Sequence, residues 1–502
     1  MSSVDDPPTA AGPTPSRQDP RDPGTLRADA AAFHLEVEGT PADTTHSGGV
    51  EADVDIEEEA WSELPEALAA VVEQQAAREV DPDYRQMVFE LSERLRELQR
   101  PINILSALRW PKEVEQGFFA AGADRQPEVT RDTYAPLRYE AAELMRALED
   151  LHADVRNRLG RFNPVGQLLT TRCQEWRETV SMLAARGTPD FARIAGMLYG
   201  RTSDAFHAGG PTVADMGLDL ADRLARIEAT GMLPPDPRTM TAVEGAAWLQ
   251  ERLDRVFDED PVAVQVSDEI VAEAIAGADR IRLRSDAMFS ERALRILEVH
   301  EAYVHVATTM NGRRQPTLTF LDKGPPSTTI GQEGLAVLVE VTAFTSHPTR
   351  LRRINDRVEA IHRVEDGATF LDIYRWFVDE RDASPQAAYA DTTRVFRGSL
   401  PDAGPYPKDL AYARGFVQTY NFFRVSVAQG KVFRLWLLFT GKTALDRIGL
   451  LFQAFDEGLL APPRYLPPHF ADPAGLASWL AYSGFLNQLD LERVEDDFTQ
   501  LL

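Results

Sequence analysis

The spacing of two histidines constrains this chain more than any other feature. They stand in His300-Glu301-Ala302-Tyr303-Val304-His305, five positions apart. The run before them, Ala293, Leu294, Ile296, Leu297, His300, has a helical period, so both are expected on one helix. On a regular helix residues four apart lie about 40° from each other, whereas residues five apart lie about 140° apart. Two imidazoles so placed cannot share one ion. Either they are unrelated, on an ordinary surface helix, or the turn between them is widened by one residue. A π-bulge does this, and such bulges favour functional sites. With nine histidines in 502 residues, chance gives H-E-x-x-x-H in roughly 1 in 100 such chains.

Two imidazoles beside a glutamate suit zinc. Neutral ring nitrogens bind the ion, and a carboxylate takes a proton from its water. His300 and His305 are the expected ligands, with Glu301 as the base. The third ligand should be a carboxylate on a following helix, and Ile330-Gly-Gln-Glu-Gly-Leu-Ala-Val-Leu-Val-Glu340 supplies Glu333, 28 residues after His305. Gly331 and Gly334 flank it, and the expectation is that they let the backbone approach the metal. Two His and one Glu leave a fourth position open, as a catalytic zinc requires. One zinc per chain is therefore expected. The plainer reading of Glu333 is a carboxylate favoured by a helix N-terminus.

Around this motif the chain divides into three stretches. Residues 1–60 carry seven prolines in the first 41 positions and then an acidic cluster from Glu51 to Glu59, which predicts a disordered tail. Residues 61–255 are expected to be helical. Met87, Leu91, Leu95 and Leu98 recur at helical spacing in 84–98, and Leu144, Leu148, Leu151 and Val155 do so in a helix expected over 134–159. Residues 256–502 form the expected metal-binding catalytic region. There Val262–Val266 and Ile281–Arg284 alternate like strands, and helices are expected near 331–346, 348–363, 368–380, 384–396, 407–428 and 443–457. The predicted fold class is α+β and mostly helical, a zincin-like metallohydrolase with a small β-sheet beside an active-site helix. Residues 61–502 are expected to form one compact unit.

Charge and cysteine exclude several alternatives. The net charge of −26 opposes binding to nucleic acid, which needs a basic face, and to anionic membranes. Cys173 is the only cysteine, so no internal disulfide or thiolate cluster is available, and a helix-packing thiol is the expected role. No targeting segment or spanning helix is legible, and a cytoplasmic protein is the expectation. Thr440-Gly-Lys-Thr443 ends like a phosphate loop, but Trp436 stands where the earlier glycine must be. Arg350, Arg352, Arg353, Arg357 and Arg363 are interleaved with Asp356, Glu359 and Glu365, which predicts a solvated face.

HEAYVH followed by GQEGLA resembles the QEGLA-motif family, in which HExxxH precedes an EGLA glutamate. Bacterial members carry the label flavohaemoglobin expression-modulating QEGLA motif protein. Their distant animal relatives are the microtubule-associated tyrosine carboxypeptidases, zinc enzymes that remove a C-terminal tyrosine from tubulin. The similarity extends from about Asp81 onward and includes Trp110-Pro111, Phe289-Ser290 and Arg397-Gly398. The resemblance implies metal roles for His300, His305 and Glu333 and a catalytic role for Glu301. It implies a zinc-dependent carboxypeptidase acting on a peptide or protein C-terminus, without naming the substrate. Such an enzyme must also bind a free carboxylate, which suits arginine's planar fork. Arg397 is the first candidate, Arg394 the second. Lys323 lies between the metal motifs, and Tyr412 is a candidate to hydrogen-bond a tetrahedral intermediate. The alternative is a regulatory or binding protein of the QEGLA family whose metal site is structural or not peptidolytic. An intact Glu301 counts against it, because a structural site has no need of a base.

Overall fold

Local signals set the helices. The first, α1 (Pro82–Gln99), has Pro82 at its first turn, and Asp81 caps it by accepting from the Asp83 N–H. Val88, Leu91 and Leu95 turn one stripe inward. The computed structural model in which these features are seen describes residues 80–499, apart from Glu269, Val271, Ala272 and Asp472. The acidic tail expected over 1–60 lies outside the described residues. The described residues fall in a single compact unit, Ile56–Leu502. The helix expected from residue 134 begins only at Ala141. Pro136 explains the delay, since it disfavours the helical region for the residue before it.

The architecture is mostly helical with two small sheets. Helix α2 (Pro164–Ala184) precedes strand β1 (Met240–Thr241), which leads into α3 (Ala242–Val256). Then come β2 (Ala263–Ser267), β3 (Ala274–Ala276), β4 (Arg280–Arg284) and β5 (Met288–Phe289). In the three-stranded sheet β4 is central, parallel to β2 and antiparallel to β3, while β5 pairs antiparallel with β1. Ile281 and Leu283 of β4 alternate inward and are fully buried. Strand β3 is not legible in the sequence, because its three residues are too few for an alternation signal. After β5, Ser290 caps the next helix by accepting from the Ala293 N–H. The sheet thus delivers the chain directly to the histidine helix, against which β3 and β4 pack.

That helix, α4, covers residues 291–313: α-helical over Glu291–Leu297, π-helical over Glu298–Val306 and α-helical again over Ala307–Arg313. Next come α5 (Pro326–Thr342), α6 (Pro348–Glu365), α7 (Pro385–Phe396) and α8 (Leu410–Ala428). One apolar cluster joins Val88 of α1, Cys173 of α2, Leu249 of α3, Val304 of α4 and Leu338 of α5, so the expected division at 255/256 separates no cores. A second cluster holds Phe118, Ile361, Phe370, Trp376 and Phe396. Helix α5 feeds Leu335, Leu338 and Val339 into the first and Val337 into the second. Cys173 is enclosed in the core and burial pushes its thiol up to about 12, which suits packing and not nucleophilic attack. No helix among the described residues is long and apolar enough to cross a membrane.

The contact between α5 and α8 corrects one expectation. A Cβ on Gly334 would lie 2.0 Å from the Gly415 carbonyl carbon, and one on Gly415 2.1 Å from the Ile330 oxygen. Gly334 therefore serves helix–helix approach. A Cβ on Gly331 would lie 3.2 Å from the Thr443 oxygen. Neither glycine is there for the metal. Gly334→Ala is expected to destabilise the fold by about 3 kcal/mol or more, since backbone must move to admit the methyl. Gly117→Ala, in a helix with nothing within 4 Å of the added carbon, should instead gain up to about 1 kcal/mol from helix propensity. Urea midpoints of the two variants check this. Equal midpoints would show that the α5–α8 contact has room to spare.

Candidate metal centre

The widened turn supplies what the five-residue offset demands. The Ala307 N–H reaches the Ala302 carbonyl, five residues back. The segment is fastened at its start, where Tyr303 donates to Glu298 and Arg252 grips the same carboxylate through Nε. The His300 and His305 rings face each other at 4.9 Å between centroids, nearly perpendicular at 82°. Each Nε2 lies 3.4 Å from Oε2 of Glu333. One ligand atom from each of the three residues lies within 4.8 Å of the others.

Glu333 is the eighth residue of α5, beyond the first turn where a helix dipole acts, so that reading does not account for it. Its Oε1 accepts from Lys408 Nζ at 2.8 Å. Its Oε2 is buried with no hydrogen-bond partner, because 3.4 Å exceeds a normal bond to either imidazole. An orphaned buried carboxylate oxygen is costly unless something positive meets it. A divalent cation between the three atoms meets that need, and the donor set of two imidazoles and one carboxylate fits zinc.

A further layer orients the ligands. His300 Nδ1 donates to Glu340 Oε1 at 2.5 Å, which leaves Nε2 with its lone pair toward Glu333. Arg350 holds Glu340 with two bonds of 2.7 Å. Burial opposes the Glu340 charge, but Arg350 and His300 outweigh it and bring the carboxyl down to about 2. Burial also opposes a charged His300, yet the nearby Glu333 carboxylate and the hydrogen bond to Glu340 carry the imidazole up to about 10. Burial likewise opposes the Glu333 charge, and Lys408 and both histidines hold its carboxyl well below the usual range. A cluster that binds a proton this firmly is electrostatically suited to a cation.

The other sequence-predicted residues divide clearly. Glu301 is half-buried beside His300, and its carboxylate makes no hydrogen bond among the described residues. Tyr412 stacks on His300 at 6.2 Å and 25°, with Lys408 Nζ 5.1 Å from its ring. Arg397 ends α7 and lies 5.5 Å over the Tyr406 ring. Its Nε is buried without a partner, and its guanidinium has no carboxylate partner among the described residues. Burial, then Arg394, press its pKa down, so it is a cation short of an anion. Arg394 is not free: it binds Asp409 through two bonds of 2.7 and 3.1 Å. Lys323 is not brought to the cluster. Its ammonium donates to the Arg100 and Ile102 carbonyls at 3.1 and 2.6 Å and stands 6.0 Å over Trp176.

Four residues of this environment escaped the sequence reading: Glu340, Arg350, Lys408 and Lys442. Glu340 had a signal, since seven residues after Glu333 is two helical turns, within about 20° of the same face. Of the basic stretch on α6, Arg353 is exposed as expected of a solvated face, but the other four arginines are partly buried and paired with acids. Arg350 meets Glu340, Arg352 meets Glu228 at 2.6 Å, Arg357 meets Asp391 at 3.4 Å and Arg363 meets Glu359 at 2.8 Å. Lys408 and Lys442 are two of only five lysines, but nothing local indicates their partners.

The family model described as microtubule-associated tyrosine carboxypeptidase matches residues 116–488. The chain belongs to this family. The match contains all of α2 to α8 and every residue of the cluster. Membership makes this a carboxypeptidase-like domain of the microtubule-associated tyrosine carboxypeptidase family. No individual curated protein matches the chain.

Proposed function

We propose that the protein is a zinc-dependent carboxypeptidase that removes a residue from the C-terminus of a peptide or protein. The observation that carries the reading is the convergence of His300, His305 and the unpartnered Oε2 of Glu333. Family membership supports the reaction type. Glu333 is the glutamate of the QEGLA motif, residues 332–336, that carries the resemblance to the QEGLA-motif family.

His300, His305 and Glu333 would hold the zinc, which when bound acidifies water and polarises a carbonyl. The remaining work belongs to the chain. Glu301, next to His300 and with its carboxylate unbonded, accepts the proton of the attacking water and passes it to the departing amine. Tyr412, against the His300 ring, offers its hydroxyl to the oxyanion that forms at the scissile carbonyl. Arg397 takes the substrate's terminal carboxylate in a bidentate pair, which offsets its own burial and places the last peptide bond at the cluster. Arg394 is already paired with Asp409 and so leaves that role to Arg397.

The test compares one peptide set with free and amidated C-termini. Amidation is expected to abolish turnover, because the guanidinium then lacks a charged partner. Arg397→Lys keeps the charge and loses the fork, so it should raise KM with zinc still bound. Equal cleavage of free and amidated peptides would replace the carboxypeptidase reading with an endopeptidase or other amidohydrolase.

A further inference from the structure

Lys442, in the Thr440–Thr443 stretch that only imitates a phosphate loop, spends all three ammonium protons inside the protein. It donates to the His305 carbonyl at 2.8 Å, Thr308 Oγ1 at 2.9 Å and Gln332 Oε1 at 2.7 Å. An ammonium has three donors, so none remains. The acceptors belong to two helices. His305 and Thr308 flank the end of the π segment on α4, and Gln332 precedes Glu333 on α5. Thr308 Oγ1 closes the triangle at 2.7 Å from Gln332 Oε1, its one proton shared between that oxygen and the Val304 carbonyl at 2.6 Å.

The loop that carries this lysine is held on both sides. The Lys442 N–H donates to the Leu321 carbonyl at 2.7 Å, and Arg172 grips the Lys442 carbonyl. Gly441 lets it press against Leu321, where a Cβ would lie 2.7 Å from the Leu321 Cβ. Gly312 of α4 permits the same approach from the other side, with a Cβ position 2.4 Å from the Leu321 oxygen. The ammonium is therefore a fixed point against which both ligand-bearing helices are referenced.

We propose that Lys442 is a positioning residue for the metal centre. It locks the register of the widened turn at His305 and ties that turn to Glu333 through Gln332, so that the three ligand atoms converge. This rests on the metal-site reading above. A simple stabilising crosslink would contribute to folding and leave the ligand geometry alone. A positioning role changes the geometry that a bound ion experiences.

The test uses the full chain loaded with cobalt(II), whose visible absorption reports the number and arrangement of ligands. Lys442→Met keeps an unbranched apolar stem in place of the lysine methylenes but lacks the terminal ammonium and its donors. It is expected to bind cobalt about 10 to 100-fold more weakly and to shift the visible bands, as loss of an orienting partner does at other metal sites. Gln332→Met leaves the bond to the His305 carbonyl and cuts only the link to α5, so a smaller change in the same direction is expected. Wild-type affinity and spectrum in Lys442→Met, with only a lower unfolding midpoint, would overturn the proposal. If Lys442→Met does not fold, an unchanged cobalt affinity and spectrum in Gln332→Met overturns it instead. A wild-type chain that takes up no cobalt or zinc overturns the metal-site reading itself, and the positioning role with it. That result is distinguished because it appears before any variant is compared.

Discussion

His305→Ala is expected to fold and to lose its zinc. Three side chains converge on the proposed ion, and two of them sit on one widened turn. Removing one leaves a single imidazole and a carboxylate whose other oxygen is occupied by Lys408. Because the free energy of metal binding is shared among few ligands, loss of one collapses affinity. Elemental analysis should fall from about one zinc per chain to almost none, and turnover should fall to background with it. The fold should persist, since the apolar clusters draw on Val304 and Val306 and not on the His305 ring. Stoichiometric zinc in this variant would remove His305 from the site and leave the π turn without a metal role.

Glu301→Gln separates binding from chemistry. The substitution is nearly isosteric, and the Glu301 carboxylate is neither among the converging ligand atoms nor hydrogen-bonded among the described residues. Zinc and fold should both be retained. A general base contributes about 10² to 10⁴-fold, so kcat should fall by that much with KM little changed. Paired measurement of zinc content and turnover decides the matter. Turnover near wild type would take Glu301 out of the mechanism, and a parallel loss of zinc would make it a ligand.

The two variants together bear on the rival reading, a regulatory protein with a structural metal. There, His305→Ala would cost metal and fold, while Glu301→Gln would change nothing. The geometry disfavours that outcome. A closed structural site has four protein ligands, and the cluster found among the described residues has three.

Much of the local organisation follows from the sequence alone, because it depends on covalent geometry and near neighbours. The five-residue offset of His300 and His305 demanded a widened turn, since a regular helix cannot aim both rings at one point. Proline and capping residues set where α1 and α4 begin, and the alternation of Ile281 and Leu283 marked the central strand. Tertiary structure decided which charges meet. Lys408 reaches Glu333 across 75 residues and Lys442 reaches His305 across 137, and no periodicity links such positions. It also separated Arg397 from Arg394, three residues apart on the same helix end, because only Arg394 finds Asp409. It turned Lys323 toward backbone carbonyls and four of the α6 arginines toward acids. With 53 lysines and arginines and 79 acids in the chain, composition leaves almost every pairing open. Only packing, by excluding water and fixing distances, selects the few pairs that orient a site.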